Sequence, residues 1–201
     1  MTTGLSAAAE RVVELGLAVV EGTRVVATFE TLVNPERAIP PRLTDIHGIT
    51  TAMASKAPTM REVLPALLHH LDGAVFTAHN AQFDHGFLEH EVRRVHGTRA
   101  GLPVDALCTK LWAWHLYGRG NGSGEAVEAR LGIRNRCPHH ALPDVEATVE
   151  VLLRFLGKGG VTVENLAKAR ALRVLGPMGS GKRPAAAWEP GRLAACVRGH
   201  G

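Results

Sequence analysis

A chain of 201 residues, 45% hydrophobic and 21% charged, carries enough apolar material for one ordinary globular domain plus a tail. No apolar run approaches the roughly 20 residues of a membrane span, and MTTGLSAAAER lacks the basic-then-apolar layout of a signal peptide, so the expected location is the cytoplasm, with no membrane partner. Cys108, Cys137 and Cys196 are odd in number and widely spaced, which argues against a disulfide framework and against a thiolate zinc site. The formal charge of +4 is unevenly divided: residues 1–156 carry 15 Lys+Arg against 17 Asp+Glu, and residues 157–201 carry 8 against 2. The basicity lies in the tail, where it can hold phosphate backbones without reading sequence or simply solvate a linker.

In chain order, RVVELGLAVVEGTRVVATFETLV predicts a hairpin. Val13, Leu15, Leu17 and Val19 alternate before the turn signal Glu21-Gly22-Thr23, and Ala27, Phe29, Thr31 and Val33 alternate after it. NPERAIPPRLTDIHGIT is a Pro-rich connection with a short helix at most. In APTMREVLPALLHHLDG, Thr59 and Glu62 have capping-box spacing, and Met60, Val63, Leu64, Leu67, Leu68 and Leu71 recur at helical spacing, with Pro65 expected to delay or bend the helix. AVFTAHN reads as a short buried strand, followed by a helix over 83–96 whose apolar face is Phe83, Phe87, Leu88, Val92 and Val95.

Residues 104–117 predict a helix, and 125–131 a shorter one. After PHHALPD comes a helix with Pro143 suited to its first turn and Val145, Val149, Leu152, Leu153 and Leu156 as its buried stripe. Hairpin strands followed by alternating helix and strand predict an α/β domain with a mixed sheet over residues 1–157. A short helix is expected over 158–175, within VTVENLAKARALRVL, and a disordered Gly/Pro/Ala-rich basic tail over 176–201. In that tail GPMGSGKR has the P-loop spacing G-x-x-x-x-G-K. Arg183 stands where a magnesium-binding Ser or Thr is needed, and no helix-forming sequence follows, so the stretch reads as linker.

Two acids draw notice because each opens a predicted helix: Asp84 in AHNAQFDHGFLEHE and Asp144 in PHHALPD. Either could be only a favourable charge on a helix dipole. Brought to one end of a sheet, they could instead hold hard divalent cations, with a nearby His accepting a proton from water.

The surrounding motifs carry a resemblance. AHNAQFD resembles the second exonuclease motif, and HHALPDVEAT the third, H-x-A-L-x-D-x-x-A-T, of the DnaQ-like 3′–5′ exonucleases, the DNA polymerase III epsilon-subunit type of the DEDD superfamily with a catalytic His. TLVNP, IPPRLTDIHGIT and APTMREVLP are similar to the sequence linking the first and second motifs. The resemblance implies a ribonuclease H-like fold, a mixed sheet flanked by helices, that removes nucleoside monophosphates from DNA 3′ ends. It implies His139 as general base, Asp84 and Asp144 as metal ligands, and two Mg2+ or Mn2+ ions. Thr3, Gly4, Leu5, His79, Asn80 and Phe83 would border the substrate groove, and the implied partners are single-stranded DNA 3′ ends and a DNA polymerase.

The family's first motif, D-x-E-T-T-G-L, is represented here by M-T-T-G-L: Met1 falls in the Glu position, and the Asp and the strand before it are not in the 201 residues. Glu10 and Glu14 lack the family spacing. The expectation is a first strand missing or truncated, an exposed edge along Val13–Val19, and weak binding of a single ion. Two functions follow from this reading: a metal-dependent exonuclease impaired in this chain, or a non-catalytic nucleic-acid-binding or polymerase-associated module on the same fold.

Overall fold

The computed structural model describes residues 1–102, 104–135 and 137–157, together with the backbone of 192–196. The chain forms the predicted hairpin from β1 (Glu14–Glu21) and β2 (Arg24–Leu32), closed at Gly22, whose φ of 61° suits a residue without Cβ. Two short helices follow, α1 (Pro41–His47) and α2 (Thr51–Ala54), then α3 (Met60–Leu71). At the start of α3 the Thr59 N–H donates to the Glu62 carboxylate at 2.7 Å, the predicted capping box. The helix starts on time and runs through Pro65. A proline there removes one backbone bond, and the buried stripe Met60, Val63, Leu64, Leu67 and Leu71 offsets it.

β3 (Val75–Ala78) leads into α4 (Ala81–His96). The helix predicted over 104–117 divides: Asp105–Cys108 is a strand, β4, paired in parallel with β3, and only Thr109–Tyr117 is helical, as α5. Four residues without alternation show no strand pattern of their own; pairing with β3 decides their state. α6 (Gly124–Leu131) and α7 (Ala141–Gly157) complete the body.

The expected bare edge on β1 is not present. Residues 192–196 form β5, which lies between β1 and β3, antiparallel to the first and parallel to the second, giving the sheet order β2-β1-β5-β3-β4. The tail expected to be disordered over 176–201 thus contributes a strand. The short helix expected over 158–175 and the P-loop-like stretch lie outside the described residues.

Two helical layers cover this sheet. Leu15, Leu17, Val19, Phe76 and Ala78 point toward α3 and α4 and pack with Leu64, Leu67, Phe87 and Leu88. On the other face Ala18 and Val20 meet Val145 and Val149 of α7, while Val75 and Leu107 meet Trp112, Val127, Leu152 and Phe155. Since β1 is buried on both faces, its alternation separates two cores rather than core from water. Exposure falls on the edge strand β2, with Val25 and Val26 about half exposed. No described helix is long and apolar enough to cross a membrane.

Candidate active site

One end of the sheet collects the candidate residues. β1 runs antiparallel to β5, and β5 runs parallel to β3, so the start of β1 and the ends of β3 and β4 lie together. α4 and α5 begin at that end. There, too, the first turn of α7 docks on β1, where a Cβ on Gly16 would sit 2.7 Å from the Ala141 carbonyl carbon. Asp84 and Asp144 therefore stand in the first turns of two helices that reach the same end from opposite faces of the sheet, and both are fully buried.

The entry to α4 is abrupt. Asn80, its N-cap, has φ 75° and ψ 46°, a left-handed conformation that Asn tolerates better than most residues. This gives Asn80 a backbone reason to be there, independent of substrate. The predicted groove residue His79 is buried, and its ring is held on both sides: Nδ1 lies 3.0 Å from the Thr109 hydroxyl and Nε2 2.8 Å from the Gly122 carbonyl. The ring ties the end of β3 to the start of α5 and to the loop before α6. Phe83 is half-buried, packs against the α3–α4 core and lies 4.8 Å from the Phe87 ring, so it serves packing.

Asp144 is anchored rather than loose. Its Oδ1 accepts a hydrogen bond from Asn135 Nδ2 at 2.6 Å, and its N–H donates to the His140 carbonyl at 3.1 Å. His139, half-buried, occupies the turn before α7 with φ 70°, and His140 is exposed.

Two acids from the hairpin fix α7 itself. The Ala141 N–H donates to Glu14 Oε2 at 3.0 Å and the Leu142 N–H to Glu30 Oε1 at 3.3 Å, so carboxylates meet the otherwise unsatisfied amides at the positive end of the helix. Burial pushes the Glu14 carboxyl above the ordinary carboxylate range, opposed by the N-terminal ammonium, the Ala141 N–H and His140. Sequence reasoning left Glu14 without a role. An acid inside an apolar strand was the available signal. Nothing in the sequence marks Asn135.

Thr3, Gly4 and Leu5 divide in the same way. The buried Thr3 hydroxyl donates to Glu10 Oε2 at 2.6 Å and accepts from the Arg11 N–H at 2.9 Å, and a Cβ on Gly4 would meet Glu10 Cγ at 2.7 Å. Leu5, 64% exposed, presents its side chain to solvent. Met1 is buried in an apolar cluster with Val13, Ile39, Ile49 and Ala54. Among the described residues no three His, Cys, Asp or Glu side chains are grouped so as to hold a metal ion. Asp84 and Asp144 have the oxygen chemistry a hard cation requires, but the set does not fit a two-ion cage.

Comparison with known proteins is consistent with this geometry. The family profile described as exonuclease, of the RNase T type, matches residues 2–152. The chain is 40% identical over 161 residues to a DNA polymerase III subunit epsilon-like protein of Rhodobacter capsulatus, covering 77% of this chain and 22% of that protein. It is 33% identical over 175 residues to a PolC-type DNA polymerase III of Thermotoga petrophila, covering 82% of this chain and 12% of that one. The chain thus spans well under two thirds of the length of these relatives. Among solved structures, exonuclease X in complex with 5′ overhanging duplex DNA superposes with a TM-score of 0.64 at 29% identity, covering 84% of this chain and 94% of that one. The fold is ribonuclease H-like.

Proposed function

The chain belongs to the RNase T-type exonuclease family, and from that membership we propose that it is a nuclease of DNA 3′ ends whose 201-residue form turns over slowly or not at all. The carrying observation is the pair Asp84 and Asp144, both buried at one end of the sheet, with no third metal-capable side chain grouped with them among the described residues. DNA as substrate class is supported by the polymerase III relatives and by the DNA-bound neighbour. Divalent ions are the cofactor class of the family, and such ions stabilise charge on a phosphate undergoing hydrolysis. Two carboxylates do not supply enough charged oxygen to hold a pair of them. In this reading His139 is the proton acceptor, since it alone of the two adjacent histidines has the five-residue offset to Asp144.

A second reading has its own support. The same incomplete ligand set, joined to a tail carrying 8 Lys+Arg against 2 Asp+Glu over residues 157–201, suits a module that binds nucleic acid without cutting it.

One experiment separates them. Nucleotide release from a labelled single-stranded DNA 3′ end is measured for the native chain with magnesium and with manganese. The same assay is run on a chain in which an apolar strand ending in D-x-E replaces Met1 and the C-terminus is moved to residue 191, so that one strand occupies the position between β1 and β3. The native chain should release little with magnesium, and the graft should be active. Asp84→Asn, Asp144→Asn or His139→Ala should each reduce the graft by about 10²-fold or more, and His140→Ala should leave it largely intact. Robust magnesium-dependent release by the native chain would refute the incomplete-site reading. A folded, DNA-binding but inactive graft would favour the non-catalytic module.

A further inference from the structure

β1 and β3 do not pair with one another; each pairs with β5, over Leu17–Glu21 on one side and Val75–Thr77 on the other. Without β5 the sheet separates into the hairpin β1–β2 and the pair β3–β4. These halves carry different parts of the site. The first turn of α7, with Asp144, is fastened to the hairpin through Glu14, Glu30 and the close approach at Gly16, while its later turns pack on Val75 and Leu107 of the other half. α4, with Asp84, grows directly out of β3. We propose that residues 192–196 are an integral central strand, and that this tail-borne strand sets the position of Asp84 relative to Asp144.

A strand between two others has its N–H and C=O groups taken up on both sides, and removing it leaves two internal edges on which the β1 and β3 groups that faced it lose their partners at once, while their bonds to β2 and β4 remain. β1 has no exposed face with which to compensate, because Leu15, Leu17, Val19 and Val20 are buried on its two sides. Reach is not an obstacle. The 34 residues between Gly157 and Arg192 can extend up to about 110 Å, several times the width of such a sheet. β5 holds this position whether or not the protein cuts DNA.

The test needs no turnover. Amide hydrogen exchange on the unmodified 201-residue chain should show Leu193–Cys196 protected to the same degree as Leu15–Val19, at least about a thousandfold slower than an unstructured peptide. Exchange of 193–196 at the unstructured rate would overturn the proposal outright.

A second measurement reads position. Spin labels at Q82C and E146C, exposed sites near the starts of α4 and α7, in a chain whose Cys108, Cys137 and Cys196 are replaced by alanine, should give one narrow distance distribution. Ala194→Pro removes a backbone donor in the middle of the strand. It should broaden or shift that distribution and lower the melting temperature. A narrow, unchanged distribution in A194P would show that the two halves hold their positions without β5, and the proposal would fall. An A194P chain that does not fold would support it, provided the exchange result on the unmodified chain stands.

Discussion

Gly16→Ala is the sharpest probe of how α7 is seated. A methyl group at that position would lie 2.7 Å from the Ala141 carbonyl carbon and 2.9 Å from both its oxygen and its Cβ, where contacts between carbon atoms normally settle at about 3.5–4.0 Å. The first turn of α7 must therefore retreat by about 1 Å. Overpacking of this kind costs about 1–3 kcal/mol. The same retreat stretches the 3.0 Å bond from the Ala141 N–H to Glu14 beyond hydrogen-bonding distance, and losing a bond to a buried carboxylate costs about 1.5–3 kcal/mol more. The reduced freedom of the unfolded chain returns about 0.4–1 kcal/mol. The net loss is about 2–5 kcal/mol, and at about 2–4 °C per kcal/mol for a domain of this size the melting temperature should fall by about 4–20 °C.

Gly86→Ala is the control. Gly86 is inside α4, and its added methyl would meet only the Ala7 Cβ at 3.9 Å, so the variant should gain about 0.5–1 kcal/mol from helix propensity. Thermal and urea unfolding of the three chains decides the matter. A Gly16→Ala chain as stable as the native one would refute the seating described for α7.

Glu14→Gln should remove a pH dependence: because burial raises the Glu14 carboxyl above its unfolded value of 4.5, its contribution to stability is present below that value and is lost as pH rises through the folded one. Urea midpoints from pH 4 to 8 should therefore move in the variant's favour as pH rises; the opposite trend would contradict the assignment. Glu91 is fully buried and its Oε1 accepts from Arg11 Nε at 2.9 Å, Val12 N–H at 3.2 Å and Arg94 Nη1 at 3.2 Å, so Glu91→Ala should cost about 3 kcal/mol in a urea titration by removing the carboxylate that two guanidiniums and an amide share. Replacing Lys158, Lys168, Arg170, Arg173, Lys182 and Arg183 by Gln, with 192–196 kept, should flatten the salt dependence of single-stranded DNA binding, each lost phosphate contact reducing the slope by about 0.7. An unchanged slope would place the binding charge on the body.

The elements whose information is local were legible in the sequence. The Gly22 turn, the Thr59–Glu62 capping box and the apolar stripes of α3, α4 and α7 each follow from contacts within a dozen residues. β4 was not, because Asp105–Cys108 acquires strand character only from its neighbour β3. β5 was still less so: Arg-Leu-Ala-Ala-Cys has neither alternation nor β-branched residues, and pairing on both sides makes it a strand. For the candidate site, motif spacing singles out Asp84, His139 and Asp144. The partners of the His79 ring could not be read from the sequence, since Thr109 and Gly122 come from 30 and 43 positions further along the chain.

A strand that joins the middle of the sheet from the far end of the chain also governs when the sheet can close. Leu17 pairs with Cys196, 179 positions later, so the contact that unites the two halves has a very long sequence separation. During synthesis at about 5–20 residues per second, the hairpin and the β3–β4 pair would wait roughly 2–8 s after Gly157 is made before that partner exists. Over that interval both inner edges are open, and any extended apolar segment, including one from a neighbouring nascent chain, can compete for them. Closure of this sheet should accordingly be sensitive to concentration and to chaperones, more than that of a domain of the same helix content whose central strand is made before its neighbours.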